Sequence, residues 1–301
     1  MLLSDKQFDT PAATDITSQH KGVAMSEFGT PDAESDPRVV VQILGHVAHV
    51  RLNRPAKLNA LDGRMFTELA ETGDRLARTE GVRAVVLSGS GRAFCAGLDL
   101  GSFTAMTQTG GAGRVSGQPL PIDGPARALG QQAVHVWAQL PVPVIAAVHG
   151  VAFGGGLQIA LGADIRLVTP DARLSVMEIK WGLIPDMTGT QVLPQLVGID
   201  HAKELTFTGR IVDGRESAAL GLVTRTEVDP VDAALKLAQQ IAGNSPDAVR
   251  QAKALLDLAG RCTLTEGFAA EQVAIRSLIG SPNQIEAVEA QQQKRPASFT
   301  D

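Results

Sequence analysis

The sequence predicts an α/β fold, and three patterns carry that expectation. Short apolar runs bounded by glycine or proline read as strands, stretches with apolar residues at helical spacing read as helices, and the two alternate from Arg38 to about Asp229. Beyond Asp229 the signals are helical alone. The expected layout is therefore a polar, disordered tail over 1–37, an α/β core over 38–228 and a helical region over 229–301.

Taken in order, the tail is rich in Thr, Asp, Ser and Pro and has no hydrophobic period, so it cannot offset its ordering entropy. "RVVVQILGHVAHVRLNRP" places two apolar runs around Gly45, the pattern of a hairpin, and Asn53-Arg54-Pro55 closes its second strand. "GRMFTELAETGDRLARTEG" sets Met65, Phe66, Leu69 and Leu76 on one helical face. "VRAVVLSG" reads as a buried strand. A loop with six glycines from Gly110 to Gly130 follows, either a lid or a disordered stretch. Helix "ALGQQAVHVWAQL", strand "VPVIAAVHG", a glycine turn, helix "GLQIALGA" and strand "DIRLVT" continue the alternation. Four helical segments end the chain, beginning at "PVDAALKL", "SPDAVRQA", "TLTEGFAA" and "SPNQIEAV", each marked off by Gly or Pro.

Composition excludes several function classes. A net charge of −5 without a basic run argues against nucleic acid or an anionic membrane as a partner. No stretch of 18 apolar residues or signal-like N-terminus is present, and only Cys95 and Cys262 are available, so a reducing cytoplasm is the expected setting. There is no P-loop, no GxGxxG followed by a ribose-binding acid, no GxSxG elbow and no HExxH. The six histidines have no metal-ligand spacing, and no metal site is expected.

Two similar glycine turns remain. In "AFCAGLDL" (93–100) and "GVAFGGGLQ" (150–158) glycine follows a strand and leads toward a helix, leaving backbone N–H groups unpaired. Adjacent in space, such turns aim two donors at one oxygen, a main-chain oxyanion hole. The alternative is that these glycines only allow close packing at helix starts.

"LNRPAKLNALDGRMFTEL", "VRAVVLSGSGRAFCAGLDL", "PVPVIAAVHGVAFGGGLQIALGADIRL" and "MEIKWGLIPDMTGTQVLPQLVG", in that order, resemble the motifs of the crotonase superfamily, the enoyl-CoA hydratase/isomerase family, over residues 38–300. The resemblance implies a spiral of βαβ repeats with a C-terminal helical trimerisation region, a homotrimer or dimer of trimers, and an acyl-CoA thioester substrate with no separate cofactor. It implies that the N–H groups of Leu98 and Gly155 form the oxyanion hole, with Ala96 and Gly97 beside the substrate. Where hydratases of the family place a glutamate, two residues after the triplet, this sequence has Gln158, assigned to substrate binding or to packing and backbone bridging. The second family glutamate is matched by Glu178. Asp186, eight residues on, resembles an acid of dienoyl-CoA isomerases and alternatively stabilises a helix N-terminus. Lys294 and Arg295 either meet CoA phosphates or form a solvated helix end.

These residue types separate the reactions. Shifting a double bond needs one carboxylate that removes and returns a proton, which Glu178 supplies. Hydration also needs an activated water, and an amide at Gln158 cannot deprotonate one. Isomerisation is therefore favoured. Hydration with Asp186 compensating, and a catalytically weakened thioester-binding subunit, are the alternatives.

Overall fold

A computed structural model of the chain describes residues 36–102 and 117–301. The expected disordered tail, up to residue 35, and the 103–116 part of the glycine-rich loop lie outside the described residues.

The hairpin forms as the sequence indicates: β1 (Val39–Leu44) and β2 (Val47–Leu52) pair antiparallel around Gly45, whose φ of +59° suits a residue without Cβ. Asp62 caps helix α1 (Gly63–Ala77) by accepting from the Met65 N–H at 2.8 Å, and the predicted face of Met65, Phe66, Leu69 and Leu76 is buried. The helix stops at Ala77, four residues short of Gly81, the end expected from the glycine that closes "GRMFTELAETGDRLARTEG". β3 (Ala84–Gly89) is wholly buried. Helix α2 (Leu129–Ala138) packs across α1 so closely that a Cβ on Gly73 would lie 2.5 Å from Val136 Cγ1. β4 (Val144–Val148), β5 (Val151–Phe153), α3 (Gly155–Leu161), β6 (Ile165–Val168) and β7 (Arg173–Ser175) follow, then a 3-10 turn at Glu178–Trp181. Beyond it come α4 (Gly189–Val197), α5 (Ile199–Thr208), β8 (Val212–Asp213), α6 (Gly214–Ala219) and β9 (Arg225–Thr226). The four C-terminal helices are α7 (Pro230–Ala242), α8 (Pro246–Leu258), α9 (Leu264–Leu278) and α10 (Pro282–Gln293).

The strands form two sheets. The larger runs β1-β2-β3-β4-β6-β9, parallel except for the hairpin, and the smaller runs β5-β7-β8. The period of two in each strand sorts side chains between the faces of the large sheet. Val85, Leu87, Ala146 and Val148 join the main core with α1 and α2. Val47, Val86, Ile145 and Leu167 face the other way, where Ala234, Ala238 and Ala242 of α7 cover them. The alanines let that helix sit close to the sheet.

Lys253 of α8 reaches in from the helical region. Its buried ammonium donates to the Val142 carbonyl at 3.1 Å and pairs with Asp164 at 2.8 Å. At the far end of the chain the buried guanidinium of Arg83 grips Asp301 at 3.0 and 3.1 Å and the Phe299 carbonyl at 2.9 Å. Among the described residues no helix is long and apolar enough to cross a membrane.

Candidate active site

The two glycine turns meet at the join between the sheets. Segment 93–95 runs beside 149–153: Phe94 N–H donates to His149 O at 2.9 Å, Cys95 N–H to Val151 O at 3.0 Å, and Phe153 N–H to Cys95 O at 3.1 Å. Glycine makes the approach possible. A Cβ on Gly156 would lie 2.4 Å from the Cys95 carbonyl oxygen and 2.9 Å from its sulfur. One on Gly97, at φ +88°, would lie 2.6 Å from Phe153 O and 3.9 Å from Gly155 N. Close packing of these glycines thus brings the two turns side by side. Among the described residues, the N–H groups of Leu98 and Gly155 donate to no backbone carbonyl. Cys95 is fully buried, donates its S–H to Asn59 O, and burial pushes its thiol up to about 12, so it stays neutral.

Asn59 holds the first turn in place, a role that the sequence reading missed. In a left-handed conformation (φ +55°) it donates from Nδ2 to the carbonyls of Ser90, Ala93 and Phe94 at 2.8–3.1 Å and accepts from Arg54 N–H at 2.7 Å. Asparagine is one of the few residues that tolerate positive φ while carrying both a donor and an acceptor, so "LNAL" held the signal.

Glu178 reaches the site through strand pairing. β5 and β7 are parallel with Phe153 opposite Ser175, and Gly154 N–H donates to Ser175 O at 2.9 Å. Three residues beyond Ser175, the Glu178 carboxylate lies against Gly154, at φ +51°, where a Cβ would stand 3.3 Å from Oε1. The carboxylate is buried. Its Oε1 accepts from Gln158 Nε2 at 2.6 Å, and its Oε2 has no hydrogen-bond partner among the described residues. Burial pushes its pKa above the usual glutamate range, the charge of Asp186 pushes in the same direction, and hydrogen bonds from its own backbone N–H and from Gln158 oppose them.

Gln158 is buried with its oxygen turned away from Glu178. That oxygen accepts from Met187 N–H and Gly189 N–H, both at 2.9 Å. Those N–H groups lie at the start of α4, whose N-cap is Thr188. Gln158, rather than Asp186, is the side chain that accepts from these two N–H groups. Asp186 is exposed on the wall of the cavity.

A cavity of about 1140 Å³ collects these residues. Leu98, Gly155, Gln158, Glu178 and Asp186 all line it, together with Ala96 and Gly97. Phe66, Leu129, Trp181 and Met187 give it an apolar wall, and Lys57, Arg92 and Arg127 add cations. Lys294 and Arg295 do not line it. Lys294 ends α10 in a left-handed conformation, and Arg295 is paired with Glu286 at 2.5 and 2.8 Å.

On this α/β fold, one large cavity holds a buried carboxylate beside the main-chain N–H groups of Leu98 and Gly155, the kind of pocket in which an enzyme binds a small molecule. Residues 42–301 match the family model described as enoyl-CoA hydratase/isomerase, and the chain belongs to that family. It is 37% identical to the human mitochondrial Delta(3,5)-Delta(2,4)-dienoyl-CoA isomerase, over 77% of this chain and 71% of the relative. It is 33% identical to the short-chain-enoyl-CoA hydratase of Clostridium acetobutylicum, over 85% and 95%. The crystal structure of the enoyl-CoA hydratase from Bacillus anthracis superposes with a TM-score of 0.78 at 32% identity, covering 87% of this chain and 98% of that one. Family members act on acyl-CoA thioesters.

Proposed function

We propose that the chain is an enoyl-CoA isomerase that moves a carbon–carbon double bond through a single carboxylate. The observation that carries this reading is the pairing at the base: Glu178 is buried with one oxygen that has no partner among the described residues, and the neighbour that could have been a second acid is an amide, Gln158. In a 3-enoyl thioester, Glu178 takes a proton from C2. The C–H electron pair spreads onto the thioester oxygen as a dienolate, where the N–H groups of Leu98 and Gly155 stabilise the charge. The same carboxyl then returns the proton to C4, giving the conjugated 2-enoyl thioester. A raised pKa suits a group that must give the proton back.

Lys57, Arg92 and Arg127 on the cavity support recognition of the CoA phosphates. The substrate supplies the CoA, and the reaction as written needs no other cofactor. Asp186, exposed on the same wall, supports a second reading in which it holds a water for hydration. A panel of 3-enoyl, 2-enoyl and 3,5-dienoyl thioesters, followed by the absorbance of the conjugated bond, separates the two. Isomerisation predicts gain of absorbance from the 3-enoyl substrate; loss of absorbance from the 2-enoyl substrate as the dominant activity would overturn it.

The assembly belongs to the same proposal. Leu264, Phe268, Val273 and Ile279 of α9 and the turn after it are exposed apolar residues, which supports association of copies into a trimer or a dimer of trimers.

A further inference from the structure

We infer that Gln158 is a positioning residue, whose anchored amide fixes one oxygen of Glu178 and leaves the other to carry the proton. This rests on the proposed role of Glu178 as the base. Two backbone N–H groups, from Met187 and Gly189, converge on one terminal atom of Gln158, so that atom is the amide oxygen. Its nitrogen then faces Glu178, and it donates to Oε1 at 2.6 Å. Among the described residues, Oε2 is left as the unpartnered atom of the carboxylate.

The surroundings are shaped for this amide. Gly189 lies so close that a Cβ there would be 2.8 Å from Gln158 Oε1, and a Cβ on Gly154 would crowd Glu178 Oε1 at 3.3 Å. A glutamate at 158 would keep the two backbone bonds but set its second oxygen against Glu178 Oε1. Two carboxylates at that distance share one proton. The amide therefore frees Glu178 to titrate alone. Among the described charged groups on the cavity, Asp186 pushes the Glu178 pKa up by its charge; Lys57, Arg92, Asp99 and Arg127 also line it. The departure from the hydratase pattern is thus a gained orientation rather than only a lost acid.

The test reads Glu178 directly. Carboxyl-labelled glutamate in the intact protein is titrated by carbon NMR, with the Glu178 signal assigned by its loss in Glu178→Gln. Gln158→Leu removes the donor, and Gln158→Glu keeps both backbone bonds while adding a carboxylate. Both should move the Glu178 midpoint to higher pH, and Gly189→Ala, which displaces the amide without lining the cavity, should move it the same way. In kinetics, kcat should fall about 10²-fold with KM changed less than about threefold, the mark of a misplaced base rather than lost binding. An unmoved midpoint in Gln158→Leu and Gln158→Glu, or a rise in KM at unchanged kcat, would overturn the inference. Because the titration needs no substrate, it stands even if the wild-type protein fails to isomerise, an outcome that would instead sink the functional proposal.

Discussion

Asp186 and Gln158 act on the Glu178 carboxyl in opposite senses, one by like charge and one by a donated hydrogen bond. Removing the charge should therefore ease ionisation. In Asp186→Asn the acid limb of kcat/KM against pH should move to lower pH, toward the ordinary glutamate value; a limb that stays in place or moves up contradicts the assigned field. The sign for stability follows from the same shift. Glu178 binds its proton more tightly in the folded than in the unfolded chain, so its contribution is fully present below the unfolded pKa and lost as pH rises through the folded one. Glu178 and both glycine turns were legible in the sequence because their chemistry lies in contiguous strings. Backbone bridging by Gln158 was among its expected roles and is found at Met187 and Gly189, but its bond to Glu178 was not legible, since residues 158 and 178 meet only after β5 and β7 pair.

Among the elements, the site depends on loops pinned by buried polar side chains. Asn59 ties residues 90–94 to the loop before α1, and that stretch leads directly into the first glycine turn. Asn59→Ala leaves buried carbonyls without donors and should cost about 2–4 kcal/mol. A lowered urea midpoint checks the cost, and loss of less than about 0.5 kcal/mol would refute the pinning role. β1–β4, β6, α1–α3 and α7–α10 could be read from period and punctuation, whereas α5 and α6 were not read. β7, β8 and β9 could not, because two or three residues hold no period, and they are strands only through their partners.

For the whole molecule, alternation of strand and helix indicated the α/β class, and the helical signals after Asp229 indicated α7–α10. The role of α7 as the back cover of the sheet lay beyond local pattern, because small residues at Ala234, Ala238 and Ala242 gain meaning only against Val86 and Ile145. The exposed apolar residues on α9 bear on assembly. Sedimentation of the intact protein should give three or six times the chain mass of 31.5 kDa, falling on Phe268→Asp; a monomer at micromolar concentration contradicts the assembly proposal.

In the proposed reaction, proton transfer rests on one carboxylate, Glu178. Its most direct measurement is the rate at which wild type and Glu178→Gln convert a 3-enoyl-CoA thioester to the 2-enoyl isomer, with folding of the variant checked by circular dichroism. The expected result is turnover by the wild type and a fall of about 10³-fold or more in the variant. A folded Glu178→Gln protein that isomerises within about tenfold of wild type would contradict the claim.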